Sequence, residues 1–170
     1  MWWMLLVLAV ATVWGIVAYN RLVADRVRVK TAWSDIDVQL KRRHDLVPKL
    51  VEAVQAYARY EAATLEEVLR LRGASDAERD PEARAGLERR LGERVHRLVA
   101  VAEDYPELKA SRQFVDLQQQ LTDTENQIQY ARRYYNGAVR NLNIRIDSFP
   151  DLVVARTFRF RHAKFFELEA

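Results

Sequence analysis

Between Trp2 and Tyr19 the chain reads WWMLLVLAVATVWGIVAY, a run without a charged side chain in which only Thr12 and Gly15 interrupt the apolar sequence. As a helix rising about 1.5 Å per residue it reaches about 27 Å, close to the thickness of a bilayer's hydrocarbon core. Trp2, Trp3 and Tyr19 stand near its two ends, where amphipathic rings favour the membrane interface. A cleaved signal peptide shares the apolar run, but no cationic stretch precedes this one and no small-x-small site follows it. The pattern predicts a transmembrane anchor over residues 1–19.

Downstream the continuous apolar run gives way to stripes. Val29, Trp33, Ile36 and Leu40 recur at steps of four, three and four, the spacing of one helical face. With no Gly or Pro before Pro48, the anchor is expected to continue as the first helix of a folded domain, over about 20–44. Pro48 disfavours helical geometry at Val47 and has no N–H for the carbonyl of His44, which predicts a tight reversal there. Lys41, Arg42 and Arg43 suit the end of one helix and Asp45 the start of the next. A second helix over 46–72 follows from the stripe Leu50, Val54, Tyr57, Glu61, Leu65 and Val68, with Gly73 suited to a left-handed C′ position.

Ala74 to Pro81 reads as an exposed loop, and Asp80 as the cap of a helix that Pro81 begins. That third helix, 81–103, carries Leu87, Leu91, Val95, Leu98 and Ala102 on one face, weakened in propensity by Gly86 and Gly92. The fourth, 111–147, holds Phe114, Leu117, Leu121, Thr124, Ile128, Ala131, Tyr135, Ala138, Leu142 and Ile146 at alternating steps of three and four. This is a heptad-like, coiled-coil seam fit for the spine of a bundle. The expected fold class is all-α: an N-terminal transmembrane helix, then an up-and-down four-helix bundle over 20–150. Trp33, Ile36, Leu40, Leu50, Tyr57, Leu121, Ile128, Tyr135 and Leu142 build its core. The tail 151–170 has apolar and aromatic residues without a sustained period, which predicts a short helix or an extended segment docked on the bundle or the membrane surface.

Composition narrows the chemistry. Five Gly and four Pro in 170 residues suit helices, and the absence of Cys removes disulfides, thiolate ligands and thiol nucleophiles. A net charge of +3 is a small excess over many charges of both signs and does not point to nucleic acid. Arg21, Arg26, Arg28 and Lys30 follow the apolar run while no Lys or Arg precedes it. The positive-inside rule then predicts a single-pass protein of the plasma membrane with its N-terminus outside and its bundle cytoplasmic.

Glu93-x-x-His96 places a carboxylate and an imidazole on one helical face, but a di-metal bundle needs two such pairs and further Glu residues. His44 and His162 lack a Glu three residues before them, so neither a metal nor a cofactor is expected. No Ser lies in a nucleophile-elbow or Ser-x-x-Lys setting and no glycine loop cradles phosphate; the expectation is a non-enzyme. Two surfaces stand out for interaction. Lys41, Arg42 and Arg43 form one. In the other, Arg156, Arg159, Arg161 and Lys164 interleave with Phe158, Phe160, Phe165 and Phe166, an arrangement suited to a lipid interface or to docking on the bundle.

Several segments together resemble the LemA family: Ala32 through Pro48 (AWSDIDVQLKRRHDLVP), Tyr105 through Ala110 (YPELKA), Glu125-Asn126 with Ala131 through Asn136 (ARRYYN), and Ser148-Phe149-Pro150. The chain departs from the family pattern at Lys49, where an Asn is usual. The resemblance implies a short membrane segment followed by a four-helix bundle, and it implies no catalytic residues. The expected function is that of a membrane scaffold or organiser assembling with copies of itself on the lipid bilayer. An adaptor for a membrane protease or transporter, contacting another membrane protein, is the alternative, and a metal-binding bundle enzyme the more distant one.

Overall fold

The computed structural model describes residues 2–57, 62–102 and 104–167, and every regular element among them is a helix. In chain order these are α1 (Trp2–Tyr57), α2 (Ala62–Ala77), α3 (Pro81–Ala102), α4 (Pro106–Lys109), α5 (Arg112–Asp147) and α6 (Asp151–Thr157). The chain divides into two compact units, one of Met1–Ser34 with Arg133–Phe165 and one of Asp35–Arg132 with Phe166–Ala170.

In the second unit one apolar core collects Leu46, Val47, Leu50, Val51 and Val54 of α1, Leu65, Val68 and Leu71 of α2, and Leu91, Val95, Leu98 and Ala102 of α3. Leu108 of α4 and Phe114 and Leu117 of α5 complete it. Leu50, Val54, Leu65, Val68, Leu91, Val95, Leu98, Ala102, Phe114 and Leu117 are stripe positions visible in the sequence, while Leu46, Val47, Val51, Leu71 and Leu108 lie outside those stripes; burying each Leu or Val contributes about 1.5–3 kcal/mol. Leu121 packs partly against the same core, while Ile36, Leu40 and Ile128 are fully buried. Of the remaining stripe positions, the side chain of Tyr57 and all of Glu61 lie outside the described residues. So does Glu103, the last residue of the expected third helix. Asp80 caps α3 as its position suggests, its carboxylate accepting from the amide of Ala83 at 3.3 Å and its carbonyl from that of Arg84 at 2.9 Å.

The expected reversal at Pro48 does not occur, because α1 runs through it to Tyr57. Proline still removes one bond, leaving the carbonyl of His44 without its donor four residues on. Arg72 of α2 supplies the replacement, its Nε donating to that carbonyl at 2.9 Å. A side chain from a second helix thus closes the gap that stops an isolated helix. Gly73 likewise ends nothing. No described glycine has positive φ, α2 continues to Ala77, and Ser75, in the stretch expected to be an exposed loop, is fully buried.

In the first unit Ala18 and Leu22 of α1 meet Leu142 and Ile146 of α5 and Val154 and Ala155 of α6, with Trp14, Val29, Phe160 and Ala163 against them. Residues assigned to the anchor by hydropathy therefore also belong to a packed core. Tyr135 is buried and touches Trp33, ring centroids 5.3 Å apart. After α6 the chain returns along α5. Ala163 exchanges two hydrogen bonds with the amide side chain of Asn143, its N–H donating at 2.9 Å and its carbonyl accepting at 3.0 Å. The Tyr135 hydroxyl donates to the carbonyl of Lys164 at 2.8 Å.

The Pro48 repair is measurable as a cycle. Replacing Arg72 by Ala leaves a partly buried carbonyl short of a donor, at a cost of about 1–3 kcal/mol, read from thermal unfolding of the detergent-solubilised chain by circular dichroism. In a Pro48→Ala background the backbone N–H restored at position 48 reaches the His44 carbonyl, and the Arg72→Ala loss shrinks. An equal loss in both backgrounds contradicts the repair.

Candidate functional site

Stripe logic carries charged residues inward at three positions of the second unit. Arg43 and His44 follow Leu40 on α1 by three and four residues, and Glu88 precedes Leu91 on α3 by three, so helical geometry points all of them at the core. Arg43, His44 and Glu88 are buried, Glu88 completely. The Glu88 carboxylate collects the group: Oε1 accepts from His44 Nε2 at 2.6 Å and from the Ser75 hydroxyl, and Oε2 from Arg43 Nη1 at 3.3 Å. Arg43 Nη2 pairs with Glu125 of α5 at 2.8 Å. Four helices, α1, α2, α3 and α5, are thereby joined through Glu88 and Arg43.

Burial pushes the Glu88 carboxyl upward and is the largest single influence on it; the hydrogen bond and charge of His44, the charge of Arg43 and the Ser75 hydroxyl together outweigh burial and hold it below the ordinary value of 4.5. The ion pair needs space on α3. A Cβ on Gly92 would stand 2.7 Å from Arg43 Nη2, so the absence of a side chain there lets the guanidinium lie against the helix. Beside the Arg43–Glu125 pair a cleft of about 480 Å³ opens between α3 and α5, with Gln118, Thr122 and Asn126 among its polar lining and Val95 and Val99 among its apolar one.

The chemistry of this cluster is that of a clamp. A carboxylate only accepts hydrogen bonds, so Nε2 of His44 carries its proton toward Glu88, and the Ser75 proton points there too. A nucleophilic pair needs the hydroxyl bonded to the imidazole; here both meet a common acceptor. His44 Nδ1 faces Asp76 Oδ1 at 3.6 Å, beyond hydrogen-bond reach. Among the described residues no group of three or more His, Asp or Glu could hold a metal ion, and Glu93 and His96 lie outside the buried cluster, both exposed.

The first unit has its own polar tie. Asp25 of α1, buried, accepts from Arg28 Nη1 at 2.9 Å and from Arg145 Nε of α5 at 2.6 Å, and Arg145 Nη1 reaches Asp151 of α6 at 3.2 Å. The bond to Asp25 is the main reason the Arg145 guanidinium is held above its usual value. Of the residues singled out as an interaction surface, Lys41 and Arg42 are exposed, whereas Arg43 is inside the Glu88 cluster and presents no surface. Arg156, Phe158, Arg159, Arg161 and Lys164 are exposed in the first unit and Phe160 and Phe165 half-buried, whereas Phe166 is fully buried and presents no surface. Glu88, Ser75, Asp25 and Arg145 were not singled out by the sequence, and Gly92 drew notice only as a weak helix former, although Glu88 and Asp25 carried a signal: a carboxylate at a stripe position.

Because Glu88 sits below its unfolded value, its contribution to stability is complete above about pH 4.5 and is lost as pH falls through its lowered folded value. Glu88→Gln should destabilise by about 3–5 kcal/mol at neutral pH and flatten the fall in unfolding midpoint on acidification, with wild type as reference. Gly92→Ala should lower the midpoint despite a helix-propensity gain of about 0.5–1 kcal/mol, because Nη2 must shift from its place beside Glu125; a raised midpoint contradicts the close approach.

The LemA family model matches residues 32–170, which takes in the whole Glu88 cluster and leaves the apolar run outside the match. Among curated proteins the chain is similar to Protein LemA of Metamycoplasma hominis, 25% identical over 149 residues, covering 87% of this chain and 68% of that one. A match to the family model over most of the chain is sufficient: this protein belongs to the LemA family.

Proposed function

We propose that the protein is a non-enzymatic, single-pass membrane scaffold. Its α1 crosses the plasma membrane, and its helical domain, arranged as an up-and-down four-helix bundle, assembles with copies of itself on the bilayer surface. The observation that carries the reading is the N-terminal part of α1. It is the one described helix long and apolar enough to cross a membrane, its side chains from Trp2 to Val13 are exposed on every face, and Trp2 itself is 87% exposed. Such a surface is unfavourable in water at about 25 cal/mol per Å² and favourable in lipid. In the same helix Ala18 and Leu22 enter the packed core of the first unit, so span and fold share one element. The orientation proposed is N-terminus outside and helical domain cytoplasmic, from the cations that follow the span.

Scaffolding is tested by the particle mass of the full chain gently extracted from membranes. A large, uniform assembly is expected; a monomer refutes self-assembly and leaves the adaptor for a membrane protease or transporter, with exposed Lys41 and Arg42 as its first contact to map. Orientation is tested by a thiol, since the chain has no Cys. Arg79, exposed between α2 and α3, is the position to use. Arg79→Cys should resist an impermeant thiol reagent in intact cells and react after lysis, and reaction without lysis reverses the orientation.

A further inference from the structure

The first unit presents a second apolar surface beside the span. At the corner between α5 and α6, Phe149 is 83% exposed, and Val153 and Phe158 are 53% and 59% exposed. The corner adjoins α1. Phe158 and Phe160 stack around Tyr19 with ring centroids 4.8 and 5.9 Å away, while Val154 and Ala155, the inward positions of α6, pack in one core with Ala18 and Leu22. Tyr19 closes the charge-free run. The part of that run exposed on every face ends at Val13, about 17 Å along the helix from Trp2. From Trp14 onward the helix already belongs to the core that α6 shares. A bilayer that takes up the apolar run to Tyr19 therefore reaches the level of whatever packs at Trp14 through Leu22, and α6 with its flanking aromatics packs there.

We propose that this α5–α6 corner is a second membrane contact. Phe149, Val153 and Phe158 are seated in the headgroup layer alongside α1, with the exposed Arg156, Arg159 and Arg161 toward anionic lipid phosphates. The proposal rests on the reading of α1 as a membrane span. It fits the chemistry of the corner: large apolar and aromatic side chains alternating with arginines whose long stems keep their charge at the water boundary. It also accounts for three large apolar groups left exposed by a unit that buries the neighbouring Val154 and Ala155.

The test uses the full chain reconstituted in vesicles of phosphatidylcholine with phosphatidylglycerol, carrying a single cysteine at a time (Leu8→Cys, Phe149→Cys or Val153→Cys) labelled with an environment-sensitive fluorophore. Lipids bearing quenchers at known depths report position. Leu8 should be quenched by deep quenchers, and Phe149 and Val153 by shallow ones with blue-shifted emission, by about twofold more than in phosphatidylcholine alone if the arginines act as described. Leu8 quenched, with Phe149 and Val153 unquenched and water-like, overturns the corner contact and leaves the span standing. Blue-shifted emission at Phe149 and Val153 without lipid quenching overturns it in favour of a protein cover such as a second copy. Leu8 unquenched removes the span and the corner contact together.

Discussion

A carboxylate without exposed surface is tolerable in a protein only when charge and hydrogen bonds replace the water it has lost. Glu88 meets that condition through three donors from two other helices, and the requirement propagates outward. Arg43 must be buried to reach it, the bare Gly92 leaves room for its guanidinium beside α3, and Glu125 accepts the far edge of the guanidinium. Ser75 must lie inside the fold, so α2 has to run beyond Gly73 and cannot end there. Apolar contacts have no direction, whereas the bonds to Glu88 are made in one register of α1 against α3.

The first unit uses the same device with different residues. Asp25 receives two guanidinium groups, and through Arg145 it is tied to Asp151 at the start of α6. Because Arg145 spans from α1 to α6, the short last helix is held by charge as well as by Val154 and Ala155. The returning segment is held differently, by backbone groups: Asn143 satisfies both the N–H and the carbonyl of Ala163, and Tyr135 the carbonyl of Lys164. Side-chain amides and hydroxyls on α5 thus supply the hydrogen bonds that a chain without regular structure cannot make to itself.

Periodicity made the helices legible. The seam of α5 was read from Phe114 to Ile146, and most of its positions are buried, with Leu121 and Ala131 half-buried; the stripe of α3 and its Asp80 cap were equally visible. What periodicity could not supply was partners. Pro48 carries the strongest local stop signal in the chain, and the His44 carbonyl does lose its donor. The replacement comes from Arg72, distant in sequence, and no window around Pro48 contains it. Gly73 misled for the same reason, since a glycine near the end of a stripe looks like a cap until a buried Ser75 beyond it draws the helix on. Arg43 was grouped with Lys41 and Arg42 because three cations in a row look alike. Their helical phase separates them, placing Arg43 on the side of Leu40 and Val47.

Hydropathy has a related blind spot at the other end of the chain. A charge-free run records which residues avoid water, and it does not distinguish lipid from protein as the medium that replaces it. Trp2 to Val13 is exposed throughout, while Ala18 is buried among Leu142, Ile146 and Val154. The two regimes overlap between Trp14 and Tyr19, where one side of the helix is packed and Ile16, Val17 and Tyr19 remain exposed. A helix that is half covered by its own fold and half apolar toward the outside carries both regimes on one turn, and whatever covers the outer side meets the fold at the same level. The boundary between the exposed apolar run and the folded unit is therefore a face of α1 between Trp14 and Tyr19, and α5 and α6 are the elements that cover its other side.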